Sequence, residues 1–284
     1  MADLSGKVVA ISISDAPDRQ RLGFPQNEVD RVLLAVCTGL VRSGARIMYG
    51  GNLDPAGYTF KIFRHLAGAY GTRREEPPFI HVLPSSVIEE TPDEDLKASQ
   101  NASLDIVETL GVQGDDLVPI DDVVRELRIS QKPIDPAAAL TEARIAMSKH
   151  SDARVIMGGK MGIEGNRSDH YSGKMPGILE EAILALEYEC TLIVLGAFGG
   201  AARDAAIALG LLPEGERVPR GRQAESYYEA VVKLSSVAGM IDDSLRGALK
   251  EIAAEESAEA LARKIGEVVQ KWAHRPKPAM RYRP

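Results

Sequence analysis

Hydrophobic positions follow two different spacings along most of the chain. The apolar, β-branched run at 7–14 (KVVAISIS) predicts a buried strand, and apolar residues at helical spacing over 28–42 predict the helix that follows it. The same patterns predict strands at 46–49, 79–83, 154–157 and 191–195, and helices at 58–69, 138–149, 177–188 and 201–209. This alternation predicts an α/β fold, with an open, mostly parallel sheet and helices on both faces.

Two regions interrupt the alternation. Residues 85–136 are acidic, contain several prolines and are only weakly periodic, with one helix predicted at 103–110. We interpret them as an elaboration over one edge of the sheet, inside a first domain of residues 1–222. Residues 223–284 show no strand pattern, so we expect a helical extension that ends in a basic tail.

The helical extension has a clear pattern of its own. Helices are predicted at 227–237, 244–254 and 258–272. The last of them carries one apolar stripe, made of Leu261, Ile265, Val268 and Trp272. Such a stripe packs either on the core of the same chain or on another subunit.

Composition excludes several classes of protein. The formal net charge of -7 argues against general nucleic-acid binding, because that activity needs a broad basic surface. No run of about 18 apolar residues exists, so no membrane span is expected. The first residues lack the apolar stretch of a signal peptide, which favours a cytoplasmic protein. Cys37 and Cys190 have no C-x-x-C spacing, and no metal site is predicted.

Candidate chemistry lies at the carboxyl ends of the predicted strands, where open parallel sheets bind their ligands. Four loops meet at that edge, and glycine allows backbone N–H groups in such loops to approach a phosphate closely. Each glycine pair alone is better explained as a tight turn, but the convergence of all four predicts a site for an anionic ligand. The residues predicted to bind in these loops are Ser12, Ser14, Asp15, Gly50, Gly51, Asn52, Gly158, Gly159, Lys160 and Gly199.

A long polar turn separates the strand at 154–157 from its following helix, although such a connection needs only a few residues. Residues 166–171 (NRSDHY) are either a solvated loop or a lid, and Arg167 within them is a candidate ligand contact. Gly177, Glu180 and Glu181 open the next helix. The two glutamates either stabilise the helix by interacting with the positive end of its dipole or bind a ribose diol.

Arg144 lies on the predicted helix that precedes the strand at 154–157. It is either an ordinary surface arginine or a phosphate clamp, since a guanidinium binds phosphate through two parallel hydrogen bonds.

These segments also carry a family resemblance. The run EARIAMSKHSDARVIMGG, followed later by PGILEEA, resembles the SLOG superfamily, which includes the Lonely Guy phosphoribohydrolases. That family has an arginine-bearing helix, an Asp-Ala strand entry and a Pro-Gly-Gly-x-Gly-Thr-x-x-Glu motif. The matching residues are Arg144, Asp152, Ala153, Gly158, Gly159, Gly177, Ile178 and Glu181.

The chain departs from the family motif in three ways. Met157 replaces its proline, Ile178 replaces its threonine, and the long turn splits the motif into two parts. In this split form the chain is more similar to SLOG domains proposed as sensors of nucleotide-derived signals, such as those of the Thoeris antiphage effectors. The resemblance implies a Rossmann-like fold and a homodimer or larger homo-oligomer.

Three functions remain open from the sequence. In the first, the chain binds or senses an NAD- or ADP-ribose-type molecule and needs no obligatory cofactor. In the second, implied by the Lonely Guy resemblance, it is a hydrolase of the N-glycosidic bond of a nucleotide, with Arg144 and Glu181 as catalytic residues. In the third, the glycines are only turns and the protein serves interactions through its helical extension.

Overall fold

The computed structural model describes residues 2–69, 76–101, 106–130 and 133–273, and within them a single open sheet of seven strands forms the centre of the molecule. The strands are β1 (Val8–Ser14), β2 (Arg46–Gly50), β3 (Phe79–Val82), β4 (Val107–Gln113), β5 (Asp116–Pro119), β6 (Ala153–Gly158) and β7 (Thr191–Leu195). Their order in the sheet is β5-β4-β3-β2-β1-β6-β7. The β4–β5 pair is antiparallel and the other neighbouring pairs are parallel. The predicted α/β class is confirmed.

The strand order creates one point where the chain changes direction across the sheet. From β1 the chain moves outward through β2, β3, β4 and the edge strand β5, and it then returns to the other side of β1 to form β6 and β7. The last residues of β1 and β6, Ser14 and Gly158, are paired partners at this point. A crevice at such a switch point is the usual ligand site of open parallel sheets.

Helices cover both faces of the sheet. Right-handed crossovers that run in opposite directions place the helix after β1 and the helix after β6 on opposite faces. The helices are α1 (Gln26–Arg42), α2 (Tyr58–Ala69), α3 (Ser85–Glu90), α4 (Asp93–Asn101), α5 (Ile120–Ser130), α6 (Pro136–His150), α7 (Gly177–Glu187), α8 (Gly200–Ala208), α9 (Glu225–Ser236), α10 (Asp243–Ala253) and α11 (Ala258–Trp272). Helix α11 packs along α1, and α6 packs beside α7 on the other face.

The middle region differs from its prediction in one element. The helix predicted at 103–110 is wrong for its described part, because Val107–Gln113 is strand β4. This strand pairs with β3 on one side and with β5 on the other. Pairing with a strand far away in sequence outweighs a weak local helical pattern, and Val107, Thr109 and Val112 suit a pleated surface. Residues 103–105 lie outside the described residues.

The helical extension packs on the same chain. Leu261, Ile265 and Val268 of α11 are buried in the main core, and the indole Nε1 of Trp272 donates to the Oγ of Ser244 at 3.1 Å. The apolar stripe of α11 therefore packs on the core of its own chain, which was the first of the two alternatives for it. The basic tail at 274–284 lies outside the described residues.

Candidate functional site

Three loops cross at the carboxyl edge of the sheet. The N–H of Gly159 donates to the Ser14 carbonyl at 2.9 Å, and the N–H of Ala201 donates to the Gly159 carbonyl at 3.2 Å. Gly158 and Gly200 have positive φ angles of 64° and 66°. A Cβ at Gly200 would lie 2.6 Å from the carbonyl carbon of Gly158, so side chains at this crossing would force the loops apart. The structure thus brings together Ser14, Gly158 and Gly159.

The protein itself uses most of the glycine N–H groups in these loops. Besides Gly159, Gly51 donates to the Val82 carbonyl at 3.4 Å, and Gly199 donates to the Gly196 carbonyl at 3.3 Å. These glycines permit close packing of the loops rather than forming an open cradle of N–H groups.

The carboxylate of Asp18 caps the N-terminus of α8. Its Oδ1 accepts the N–H of Gly200 at 2.6 Å, while its Oδ2 has no partner among the described residues. Burial raises the pKa of Asp18, because removal from water disfavours the charged carboxylate. Since an internal carboxylate already occupies this helix end, α8 offers no seat for a phosphate. Sequence reasoning missed Asp18, although its place in the loop after β1 was a signal.

Arg144 connects α6 to the first turn of α7. Its Nη1 forms an ion pair with Glu180, and its Nε lies 3.3 Å from Oε1 of Glu181. The Oγ1 of Thr141 donates to the other oxygen of Glu180 at 2.6 Å. The side chain of Arg144 is 14% exposed, so this network lies at the edge of the interior rather than on the open surface.

Arg154 is a second residue of the candidate site that sequence reasoning missed. It is fully buried in β6, where its Nη1 donates to the Oγ of Ser12 at 2.9 Å and lies 3.3 Å from Oε2 of Glu181. Its Nη2 donates to the Oγ of Ser148 at 3.2 Å. Glu181 therefore bridges two guanidinium groups. A single charge inside the apolar strand ARVIMG was the available signal, because a buried charge requires a partner.

The N-terminus of α7 is open. Its N-cap, Pro176, makes no side-chain cap, and within the described part of the chain no acceptor binds the N–H groups of Gly177, Ile178 and Leu179. A Cβ at Gly177 would lie 2.6 Å from Nη2 of Arg144. Unpaired N–H groups and the positive end of a helix attract anions, and here a guanidinium nitrogen lies beside them.

The long turn before α7 is organised around Asp169. This buried carboxylate accepts the N–H groups of Met161 at 2.9 Å and Ile163 at 2.8 Å. Ile163 also forms an antiparallel bridge with Gln223, and the hydroxyl of Tyr171 bonds Ser226 at 2.7 Å. The turn is therefore tied to the segment that leads into α9.

Only the end of the long turn reaches Arg144. A Cβ at Gly173 would lie 3.1 Å from Nη1 of Arg144, whereas residues 166–171 bond to their own turn and to α9. Lys160 donates to the Ser168 carbonyl, and Arg167 is exposed. Gly173 thus forms the wall of the candidate site beside the first turn of α7. The contacts of Lys160 and Arg167 lie elsewhere in the turn or in solvent, not at this wall.

The loop after β2 lies next to the crossing. A Cβ at Gly50 would lie 2.7 Å from the sulfur of Met147 on α6, which explains the small residue there. Asn52 accepts the N–H of Asp54 at 3.3 Å within its own loop. Asp15 accepts the hydroxyl of Tyr58 at 3.0 Å and so connects the loop after β1 to α2. Asn52 and Asp15 contact their own surroundings rather than α7.

Within residues 2–273, the described part contains no group of three or more His, Cys, Asp or Glu residues that could hold a metal ion. No described helix is long and apolar enough to cross a membrane. A groove of about 960 Å³ between α1 and α11 is lined by helix residues such as Leu34, Ala35 and Ala262, and it includes none of the strand-end loops.

Comparison with known proteins identifies one family. A family model described as SLOG cluster2 matches residues 3–265, which cover the sheet and reach into α11. No curated protein and no solved structure matches the chain.

Proposed function

The chain belongs to the SLOG cluster2 family, and from this premise we propose that it binds a nucleotide-derived molecule of the NAD or ADP-ribose type. The family is associated with the binding of nucleotide-derived ligands. The proposed site is the carboxyl edge of the sheet, between the loop after β1 and the first turn of α7.

The open N-terminus of α7 supports this proposal most directly. The N–H groups of Gly177, Ile178 and Leu179 have no acceptor among the described residues, and Nη2 of Arg144 lies beside Gly177. Together they offer hydrogen-bond donors and the positive end of a helix dipole to a phosphate oxygen. The helix has 11 residues, long enough for its dipole to contribute.

The two glutamates supply the acceptors that a sugar needs. The carboxylates of Glu180 and Glu181 are held in place by contacts with Arg144, Arg154 and Thr141. A carboxylate oxygen accepts more than one hydrogen bond, so a ribose hydroxyl still has an acceptor there. The proposed ligand therefore places its phosphate at Gly177 and its ribose toward these carboxylates.

Isothermal titration with ADP-ribose, cyclic ADP-ribose, NAD and AMP tests the proposal. We expect at least one of them to bind the wild-type protein, and Arg144→Gln to weaken that binding about tenfold, as loss of a hydrogen bond from a charged donor does. Arg128→Gln is the matched control, because Arg128 pairs with Asp93 on the protein surface. Absence of heat with all four compounds would contradict the proposal.

A variant that keeps the positive charge separates binding from folding. Arg144→Gln leaves Glu180 buried without its ion-pair partner, so its melting temperature must be measured beside its affinity. Arg144→Lys retains the charge but loses the planar fork. We expect its affinity to fall between those of the wild type and Arg144→Gln.

A second function is cleavage of an N-glycosidic bond. The observation that favours it is Glu181, fixed between Arg144 and Arg154 at the proposed ribose position, where it would stabilise positive charge that develops on the sugar carbon. Incubation with nucleoside monophosphates and NAD, followed by detection of free base, tests this function. Equal release of base by wild type and Glu181→Gln would refute the role of Glu181.

A further inference from the structure

The charges at the mouth of α7 cancel one another. Arg144 and Arg154 carry two positive charges, and Glu180 and Glu181, their ion-pair partners, carry two negative ones. Arg144 therefore offers a hydrogen-bond donor but no excess charge to a pyrophosphate. A further cation near this place would strengthen the binding of a ligand with two negative charges.

Arg19 has the properties of that cation. Among the described residues, its buried Nε has no hydrogen-bond partner and no carboxylate forms an ion pair with its guanidinium. Its Nη1 lies 3.5 Å from the Ala16 carbonyl, which is long for a hydrogen bond. Two other basic side chains of the neighbouring loops, Arg21 and Lys160, donate to the carbonyls of Pro219 and Ser168, while Arg167 and Lys174 of the long turn are exposed.

The backbone around Arg19 leads to the open helix end. The Cβ of Ala16 is 3.7 Å from the position that a Cβ would take at Gly158. A Cβ at the next residue, Gly159, would in turn lie 2.7 Å from Ile178 in the first turn of α7. Arg19 thus belongs to a loop that packs directly on the crossing beside that helix.

Asp18 excludes the N-terminus of α8 as an alternative binding position for a phosphate. Its carboxylate already binds the N–H of Gly200 at the N-terminus of α8, and a phosphate there would be repelled by it. We propose that Arg19 binds a phosphate group of the ligand, between the loop after β1 and the first turn of α7. This inference rests on the proposed function and adds to it the residue that supplies the charge.

Titration of Arg19→Gln with ADP-ribose and with inorganic pyrophosphate tests this inference. We expect about tenfold weaker binding of both, because both present the same diphosphate. Arg21→Gln is the matched control from the same loop, since Arg21 is exposed and bonds the Pro219 carbonyl. It should keep both affinities within about twofold of the wild type.

The outcomes separate this inference from the proposed function. If the wild type binds ADP-ribose and Arg19→Gln binds it equally well, Arg19 is wrong and the proposed function stands. An equal loss in Arg21→Gln also overturns the role of Arg19, since general loop charge would then explain it. If the wild type binds neither ADP-ribose nor pyrophosphate, the inference fails together with its premise.

A second variant distinguishes loss of binding from loss of folding. Should Arg19→Gln melt below the assay temperature, Arg19→Met decides, because it keeps most of the aliphatic stem and removes the charge. About tenfold weaker binding of pyrophosphate supports the inference, and unchanged affinity overturns it.

Discussion

At the scale of single residues, His81 places an imidazole inside the sheet. The ring is 3% exposed, and its Nε2 lies 3.3 Å from the carbonyl oxygen of Gly51, in the loop after β2. Burial lowers the pKa of His81 from 6.5 to about 4, and the bond to Gly51 opposes this only in part. The native protein therefore keeps this histidine neutral at pH 7.

Stability should consequently fall in acid. The unfolded chain binds a proton on this histidine near pH 6.5 and the folded chain only near pH 4, so the contribution of His81 is present above pH 6.5 and is lost as the pH falls toward 4. We expect a loss of about 3 kcal/mol across this window. Urea unfolding at pH 7, 5.5 and 4.5 measures it. His81→Gln should show a smaller decrease, and an equal decrease would contradict the assignment.

Buried charged residues explain more of the site than the glycines do. Arg154 and Asp18 each lie nearly out of reach of water, one bridging Ser12 to Glu181 and the other capping α8. The sequence shows a charge inside an apolar strand and a carboxylate in the loop after β1, but it does not reveal which distant group will pair with each. Both roles became visible only through contacts between segments far apart in the chain.

At the scale of elements, the long turn before α7 is an ordered part of the fold. Asp169 holds Met161 and Ile163, and the bridge from Ile163 to Gln223 connects the turn to the entry of α9. Asp169 therefore fixes the shape of the turn, and the bridge attaches the turn to the entry of α9. The end of the turn, at Gly173, forms the wall beside Arg144.

Removal of this carboxylate should loosen the turn. Asp169→Ala leaves two N–H groups without their acceptor, and we expect a loss of about 1–3 kcal/mol in unfolding free energy. Trypsin should also cleave faster at Lys160, Arg167 or Lys174, as peptide mapping can measure. Glu164→Ala, an exposed change in the same turn, is the control. Cleavage at the wild-type rate in Asp169→Ala would refute this role.

At the scale of the whole molecule, α11 closes the core against α1. A Cβ at Gly39 would lie only 2.9 Å from the Cβ of Ala262, so the two helices approach as closely as small residues allow. The extension after residue 222 is thus tied to the first helix of the chain.

A larger residue at this contact should destabilise the protein. We expect Gly39→Leu to lower the unfolding free energy by about 1–3 kcal/mol through overpacking. Gly247→Leu on α10 is the matched control, because a Cβ there meets no atom within 4 Å. Urea unfolding compares the two variants. Equal stability would show that α11 can move away from α1 without cost.

The homodimer or larger homo-oligomer remains a prediction, and we expect the surface of α9 to form its interface. Tyr228 and Val232 are 49% and 68% exposed and lie one turn apart on this helix. We expect light scattering to give about twice the chain mass of 30.6 kDa or a higher multiple of it, and Val232→Glu to shift it toward that of one chain. A monomeric wild type would contradict the prediction.

The sequence by itself determined the order of most elements and the family. Strand β1 and helix α7 were predicted nearly to their ends, because their periodic patterns are local and strong. The motif from Arg144 to Glu181 indicated the family that matches residues 3–265. These features depend on neighbouring residues, which a sequence displays directly.

Only the tertiary structure decided how the site is arranged. Residues 107–110, part of a helix predicted at 103–110, belong to strand β4, because pairing with β3 outweighed local preference. The tertiary structure assigned the N–H of Gly200 to Asp18 and left the first turn of α7 open. It also joined Glu181 to Arg144 and Arg154. All three are contacts across long sequence separations, whose partners are selected by packing and burial rather than by local pattern.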